Sequence, residues 1–467
     1  MRARWAASLV VLFGCPSPPE REPAPSTPSG TVATVETIDE DLVAFRECAT
    51  SGCTPDPAGL DRSSFFAGRA RDPVTVDCGE DLCLAGDVVV APRLGGDPFV
   101  AAYVELGTPL PPPVDRPPAH LVLVLEGTSF MREVWPSVAL AIDAMRAALG
   151  PDDVVTVVHF VRTAQTLARA VRAVDLDPAA IVAEAEAERP IAWAALHEAL
   201  VLATHEARSL PGVDARIVLV TSGHTQTGVS EPERIVGLVE GLARSGTPVG
   251  VVATTEIWYG AEIPVAIAEV GTGGYAFVRT GGELVAALER EALTVAAPLA
   301  TDVELRIVAG EGRRIGRVWG PSRARVDGAS VVYETPALMM LSGRGAEDGA
   351  GGLRGPAGGI FVELLDSGEA KPGALAVSVE VSFSNAAAER RTSALDVDAP
   401  AWAPGDTAAM GDPARAATFA GLAGYLGLQQ AITVFAEGDC ALAQGVASEL
   451  IARGSEWLAD RADADGG

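Results

Sequence analysis

The feature that most constrains the fold is a regular alternation of apolar runs and helical segments between His120 and Ala297. The run Leu121–Leu125 is unbroken, which is typical of a strand buried on both faces of a parallel sheet. Further runs of this kind are Val154–Val161, Ile217–Thr221, Val249–Thr254 and Tyr275–Val278. Alternation of strands and helices implies right-handed crossovers. We therefore expect an α/β unit with a doubly wound, mostly parallel sheet and helices on both of its faces.

Helical spacing of apolar residues appears between these runs. Val138, Ile142 and Met145 recur at this spacing after the first run, and Gly150-Pro151 follows as a stop signal. Further helices are predicted at Ile191–Ala207, Glu231–Ala243 and Gly282–Val295. Ser230 and Glu233 have the spacing of a capping box at the start of the helix predicted at Glu231–Ala243.

Short alternating runs flank the α/β unit on both sides. Val88–Val90 and Phe99–Leu106 precede it, and Val303–Val308 and Val377–Ser382 follow it. Such runs are typical of antiparallel strands, so we expect an associated antiparallel β-sandwich into which the α/β unit is inserted. The tail Pro413–Asp460 predicts a C-terminal helical hairpin that is broken at Glu437-Gly438.

The N-terminus has the order of an export signal: Arg2 and Arg4 precede the apolar stretch Trp5–Phe13. This stretch is shorter than the about 20 residues that span a bilayer. Leu12–Cys15 resembles the lipobox of bacterial lipoproteins, which implies that Cys15 is lipidated and that lipid alone attaches the protein to a membrane. An ordinary cleaved signal is the alternative. The Pro/Ser-rich tether Pro16–Gly30 favours the lipoprotein, which would face the extracytoplasmic side of the cell envelope.

Four cysteines lie in two close pairs, Cys48 with Cys53 and Cys78 with Cys83. Export permits disulfide bonds, and four cysteines allow three connectivities, of which we favour the two local loops. A zinc site is disfavoured because both spacings are C-x4-C and no histidine lies nearby. The remaining Cys440 is interpreted as a small buried apolar residue.

The charge of the chain argues against nucleic acid as a partner. The formal net charge is −27, and the sequence offers no basic stripe that could neutralise phosphates. Acidic side chains of this kind keep a large exported protein soluble.

Four segments carry a family resemblance, in order and in spacing. They are LVLVLEGTSFM (Leu121–Met131), RIVLVTSGHTQTGVS (Arg216–Ser230), TPVGVVATT (Thr247–Thr255) and IAEVGTGGYAFV (Ile267–Val278). Together they resemble the von Willebrand factor type A (vWA) domain. With its lipoprotein-like start and its flanking β segments, the chain is similar to the exported bacterial vWA proteins from about Pro98 to Leu365.

The resemblance implies a metal-ion-dependent adhesion site at the C-terminal edge of the sheet. Its pattern is D-x-S-x-S, with a distant Thr and an Asp in a T-D-G turn. In this chain Glu126 and Thr128 stand where the family has the first Asp and the first Ser. Phe130, Pro190 and Ser222 stand at the positions of the second Ser, the Thr and the second Asp.

The resulting ligand set predicts a degenerate site with no metal and no cofactor. Magnesium requires a near-ideal octahedron of oxygen ligands. Phe130 and Pro190 remove two of these ligands, and Ser222 removes the second carboxylate. Ser129 and His224 complete the candidate binding face. Purely structural roles are the alternative for these residues, such as loop hydrogen bonds for Thr128 and Ser129 and packing for Phe130.

These observations favour a protein-binding or scaffold module in the cell envelope. The alternative is a metal-dependent adhesion module with a site rebuilt from Glu126, Thr128 and Ser129. An enzyme is not expected, because the sequence contains neither a G-x-S-x-G elbow nor a P-loop. No stretch beyond the signal is expected to span a membrane.

The chain therefore divides into six segments. They are the signal with its lipidated cysteine (1–15), the tether (16–35), a cysteine-containing segment with β strands (36–117), the vWA domain (118–297), the β-sandwich domain (298–400) and the C-terminal helical region (401–467).

Overall fold

The computed structural model describes residues 48, 76–93, 96–110, 117–187, 193–254, 262–293, 298–320, 324–340, 353–354, 359–366, 374–400, 410–439 and 441–450. Cys15, the tether, Cys53, Pro190 and Cys440 lie outside these residues. The predictions made for them therefore stay predictions.

The described part of the chain contains sixteen β-strands and seven α-helices whose bounds are given below. The strands are β1 (Cys83–Arg93), β2 (Gly96–Gly107), β3 (Ala119–Glu126), β4 (Val154–Phe160), β5 (Ala164–Arg172), β6 (Asp214–Thr221), β7 (Val249–Ala253), β8 (Thr272–Phe277), β9 (Pro298–Ala309), β10 (Arg313–Trp319), β11 (Arg325–Asp327), β12 (Ser330–Met340), β13 (Leu353–Arg354), β14 (Ile360–Asp366), β15 (Leu375–Ser384) and β16 (Arg390–Asp398). The helices are α1 (Val138–Ala148), α2 (Pro178–Glu186), α3 (Leu196–Ala207), α4 (Pro232–Arg244), α5 (Glu262–Gly271), α6 (Gly281–Leu293) and α7 (Pro413–Ala436), and a further helical segment lies at 441–450.

The central sheet has six strands in the order β5-β4-β3-β6-β7-β8. Five neighbouring strands, β4, β3, β6, β7 and β8, pair in parallel. Strand β5 pairs with β4 in the antiparallel direction at one edge. Non-consecutive neighbours such as β3 and β6 require crossovers through helices. The expected doubly wound, mostly parallel sheet is confirmed.

Both faces of this sheet are buried, because successive residues of a strand point to opposite faces. Leu121 and Leu123 of β3 pack on the side of α1, α2 and α6, where Ile142 and Leu288 meet them. Residues such as Val122 pack on the opposite side, against α3, α4 and α5. This double burial explains why β3 is apolar without interruption.

Some local details differ from the sequence-based expectation. Helix α3 begins at Leu196, and residues 193–195 are not helical. Helix α4 begins at Pro232, so its N-cap is Glu231, and no side-chain cap bond forms there. The predicted capping box of Ser230 and Glu233 is therefore wrong. Proline at the first helical position, with its fixed φ, sets the start of the helix one residue later.

The antiparallel strands form two further sheets, ordered β1-β2-β14-β10 and β11-β12-β9-β15-β16, with β13 beside β12. They share one core, in which Val88, Val104 and Val362 of the first sheet face Leu305 and Val379 of the second. Strand β2 pairs directly with β14, on the other side of the α/β unit in the sequence. The strands of segment 36–117 thus belong to the same sandwich as those of segment 298–400.

Helix α7 and the helical segment 441–450 cover the outer face of the first antiparallel sheet. Phe419, Leu422 and Tyr425 of α7 pack with Tyr103 and Phe361 of the sheet. The helices are separated by a turn at residues 437–438, as predicted, and Gly438 has a φ of +92°, which favours glycine.

One stretch of α7, Thr418–Ala436, is long and apolar enough to cross a membrane by length and composition. The expectation that no stretch beyond the signal meets this criterion was therefore wrong. The apolar residues Leu422 and Ile432 within the stretch are buried in the core that α7 shares with the sheet. In the described structure 39% of this stretch is buried.

Cys78 and Cys83 form a disulfide bond at the start of β1, which confirms the local pairing for these two residues. Cys48 is also disulfide-bonded. Its expected partner, Cys53, lies outside the described residues.

Candidate functional site

The candidate site lies at the edge of the central sheet where the parallel strands end. Glu126 is the last residue of β3, and Thr221 is the last residue of the neighbouring strand β6. Leu125 is in register with Val220, so Glu126 and Thr221 leave the sheet side by side. The carboxyl ends of parallel strands bring side chains from distant parts of the sequence to one edge.

The carboxylate of Glu126 accepts four hydrogen bonds, two on each oxygen. Its Oε2 accepts from Thr221 Oγ1 at 2.7 Å and from the backbone N–H of Ser222 at 2.7 Å. Its Oε1 accepts from Ser222 Oγ at 2.7 Å and from Thr128 Oγ1. Glu126 and Ser222 are completely buried, and Thr128 is 2% exposed. The carboxylate therefore ties the end of β3 to the end of β6.

Two stacked rings lie next to this buried cluster. The imidazole of His224 contacts Ser222 Oγ through Nδ1 at 3.1 Å. The same imidazole stacks on the ring of Phe130, with centroids 4.0 Å apart and planes inclined by 5°. Both rings are half-buried. They are thus more accessible than the polar atoms of Glu126, which are closed off.

Ser129 is exposed and opens the short turn Ser129–Met131. Thr128 occupies the N-cap position of this turn, but its side chain makes no cap bond there because its hydroxyl binds Glu126. The structure thus brings Glu126, Thr128 and Ser222 into one hydrogen-bonded cluster, with Phe130 and His224 beside it.

Two residues of this edge were not predicted from the sequence. Thr221 donates a hydrogen bond to Glu126, but only its neighbour Ser222 was predicted as a site residue. His159 of β4 lies against the backbone of Gly127, between the site residues Glu126 and Thr128. Burial lowers the pKa of His159 to about 4. A histidine inside the mostly apolar strand VVTVVHF was the signal that could have revealed it.

A second pair of side chains, which is exposed, lies on the rim of the same edge. The guanidinium carbon of Arg162, just after β4, lies 5.0 Å from the ring centroid of Trp193, just before α3. Trp193 is 53% exposed. We call Arg162 and Trp193 the rim pair. Their positions were not predicted, because cation–π stacking depends on the spatial approach of two loops.

The described residues at this edge do not fit a divalent cation. Glu126 supplies one carboxylate, and each of its oxygens already accepts two hydrogen bonds. The aromatic ring of Phe130 offers no oxygen ligand, whereas magnesium requires six oxygens in near-octahedral geometry. Within the described residues, no group of three or more His, Cys, Asp or Glu side chains is placed to hold a metal ion.

Solved structures with a similar fold include a von Willebrand factor type A protein from Catenulispora acidiphila. It is 16% identical, and the match covers 82% of this chain and 89% of that one, with a TM-score of 0.51. The ArnB paralog VWA2 from Sulfolobus acidocaldarius is 11% identical over 81% of this chain and 91% of its own, with a TM-score of 0.41. The sequence matches no protein-family model and no curated protein.

The central sheet and its helices have the fold of a vWA domain. In this chain the domain is carried on an antiparallel β-sandwich, which has strands on both sides of it in the sequence.

Proposed function

We propose that this chain is an exported cell-envelope lipoprotein that binds a protein partner through the C-terminal edge of its vWA sheet, without a metal ion. Phe130 and His224 form the centre of the binding face, and Ser129 lies exposed beside them. The alternative, a metal-dependent adhesion module, uses the same edge but requires Glu126 to coordinate a cation.

The observation that carries this proposal is the set of four hydrogen bonds to Glu126. A cation at Glu126 would have to displace donors that are themselves buried. Leaving a buried donor without an acceptor costs about 1–3 kcal/mol. The backbone N–H of Ser222 cannot turn away to find another acceptor. The internal network therefore competes directly with metal coordination.

Binding is proposed rather than catalysis because of where the reactive groups lie. The hydroxyls of Ser222 and Thr128 donate to the Glu126 carboxylate and are buried. A nucleophile must reach its substrate, and these hydroxyls lack that access. The accessible groups are aromatic and cationic, a composition that is enriched at protein–protein interfaces.

The envelope location rests on the N-terminal sequence. Lipidation of Cys15 would attach the protein to a membrane, and the Pro/Ser-rich tether 16–35 would hold the folded body away from the surface. The disulfide bond between Cys78 and Cys83 suits an oxidising compartment.

Thermal melting tests whether the face works without metal. A ligand that binds only the native state raises its stability by mass action. Melting curves in excess EDTA and in millimolar magnesium or manganese are expected to superimpose. An upward shift with metal that disappears in a Glu126→Ala variant would establish the rebuilt site instead. A shift that survives this substitution would indicate a cation bound elsewhere on the chain.

Crosslinking in envelope fractions tests the binding role. The wild-type protein is expected to yield a specific crosslinked partner, and a Phe130→Ala/His224→Ala variant is expected to lose it. Val326→Ala, which truncates a side chain that is 52% exposed on β11 of the antiparallel sandwich, serves as the matched control. Equal crosslinking by all three proteins would contradict the proposed face.

A further inference from the structure

We infer that the rim pair, Arg162 and Trp193, receives a carboxylate from an acidic segment of the protein partner. This inference rests on the proposed function and names the chemistry of the partner. In this arrangement the guanidinium of Arg162 holds the partner's carboxylate, next to the buried Glu126 cluster.

The two side chains of the rim pair are exposed and held against each other. The guanidinium carbon of Arg162 lies 5.0 Å from the indole centroid, and Trp193 is 53% exposed. Stacking on the indole restricts the side chain of Arg162 and orients the plane of its guanidinium. A side chain ordered in advance loses less conformational entropy when a ligand binds.

Backbone hydrogen bonds join the rim pair to the loop that carries His224. Ala195 N donates to Val161 O at 2.8 Å, which connects the residues next to Trp193 and Arg162. Gln226 N and Thr227 N both donate to Ala194 O, at 3.2 and 3.3 Å. Since Ala194 follows Trp193 directly, the rim pair and the stacked rings of Phe130 and His224 belong to one edge of the domain.

The guanidinium of Arg162 has no hydrogen bond or ion pair with any residue in the described part of the chain. Arg146 and Arg172 of the same domain differ in this respect, because Arg146 contacts Asp143 and Arg172 contacts Asp175 at 2.6 Å. Stacking occupies one face of the guanidinium and leaves the in-plane N–H donors of its edge available. These donors match the two oxygens of a carboxylate in a bidentate geometry.

An acidic segment would have to contact the Arg162 guanidinium directly, because the chain as a whole carries a net charge of −27. Charges farther apart than about 8 Å are largely screened at physiological ionic strength. On this edge Arg132 pairs with Glu133 at 3.3 Å and adds no net charge. The carboxylate of Glu198 packs against Gly228, on the loop that follows β6. The binding segment therefore needs a carboxylate for Arg162 and an apolar neighbour for the exposed indole.

A displayed library of random peptides is the probe that tests this inference. Selection on the wild-type protein is expected to enrich Asp and Glu in the bound peptides. Arg162→Gln and Trp193→Ala variants should each bind the selected peptides about tenfold more weakly, the effect of losing a charge-assisted contact. Arg172→Gln, which removes an exposed arginine on β5, is the matched control and should bind them like the wild type.

The outcomes separate the inference from the proposed function. Selected peptides that lack acidic residues, or that bind the Arg162→Gln variant as tightly as the wild type, would overturn the inference. If such peptides still require Phe130 and His224, the proposed binding face stands. If binding depends on none of these four residues, both the inference and the proposed face fail.

Discussion

The imidazole of His159 lies directly against the backbone of Gly127, and a Cβ atom on Gly127 would stand 2.0 Å from His159 Nε2. Gly127 connects Glu126 with Thr128, whose side chains are hydrogen-bonded to each other. The histidine ring thus supports the loop of the candidate site, and the close approach requires glycine at position 127.

Gly127→Ala is expected to lower the free energy of unfolding by about 1–3 kcal/mol, the usual effect of overpacking a buried contact. Urea denaturation measures the loss. Gly241→Ala is the matched control, because no heavy atom lies within 4 Å of the Cβ it would add to α4. That control should be neutral or stabilising, since alanine is favoured over glycine in a helix. A Gly127→Ala protein as stable as the wild type would contradict the packing described here.

The lowered pKa of His159 predicts a pH-dependent stability. Burial lowers this pKa to about 4, whereas an unfolded histidine titrates near 6.5. The unfolded chain therefore binds the proton at a higher pH, and the free energy of unfolding falls as the pH drops from about 6.5 towards 4. The two pKa values correspond to a loss of about 2 kcal/mol between about pH 7.5 and pH 5.

Urea titrations at these two pH values measure the loss, with a His159→Gln variant as the control. The variant cannot protonate at this position, so its stability should change less with pH. Burial also lowers the pKa of His120, against the opposing charge of Glu206, and this contribution remains in the variant. An identical pH dependence of the two proteins would refute the role of His159.

Most of the fold could be predicted because its signals are local. Strands β3, β4, β6 and β7 are each built around a mostly apolar run in the sequence. Strand β5 was missed because it is an edge strand whose residues are all half-buried or exposed, without clear alternation. Its place is determined by its pairing with β4 and by the ion pair of Arg169 with the buried Glu206, which are long-range contacts.

The candidate site was predicted in part. The motif positions identified Glu126, Thr128, Phe130 and Ser222, and His224 was added because it lies two residues beyond Ser222. The structure places these five residues at one edge. The sequence did not reveal that Glu126 would satisfy both of its oxygens internally. This depends on the register between β3 and β6, which brings Thr221 to Glu126. Neither the stack of Phe130 on His224 nor the rim pair has a signature in the sequence.

Lipidation of Cys15 predicts that a Cys15→Ser variant is released from the membrane fraction. A single change suffices because the thiol of this cysteine would carry the lipid. Labelling of cells with a fatty-acid analogue, followed by fractionation, measures both attachment and release. Retention and labelling of the variant at wild-type levels would disprove the assignment of the anchor.

The disulfide bonds predict that Cys48, Cys53, Cys78 and Cys83 resist alkylation in the exported protein. Cys78 and Cys83 are bonded to each other, and Cys48 is also oxidised. Mass spectrometry after alkylation without reductant should find a Cys78–Cys83 crosslinked peptide. Full alkylation after reduction is the control, and free thiols at all four positions before reduction would rule the prediction out.

The last prediction concerns Glu126, whose carboxylate joins the ends of β3 and β6. Glu126→Ala leaves four donors without their acceptor, and one of them is the backbone N–H of Ser222, which cannot reorient. We expect this variant to lose about 2–4 kcal/mol of unfolding free energy. Glu126→Gln should lose about 1 kcal/mol. Its amide oxygen can still accept from Ser222 N, and the hydroxyls of Thr128 and Ser222 can rotate to accept from its NH2 group.

Chemical denaturation of both variants, in EDTA and again in millimolar magnesium, measures these losses. Glu133→Ala is the matched control: Glu133 is exposed and paired with Arg132, so its loss should change stability by less than about 0.5 kcal/mol. Equal losses for the Ala and Gln variants would indicate that the carboxylate charge, rather than its hydrogen bonds, is what matters. A loss that appears only with magnesium would mean that Glu126 holds a cation. We expect the same order of stabilities in EDTA and in magnesium, with the Ala variant least stable and the Gln variant intermediate. The reason is that the donors to Glu126 belong to the protein itself and do not depend on a cation.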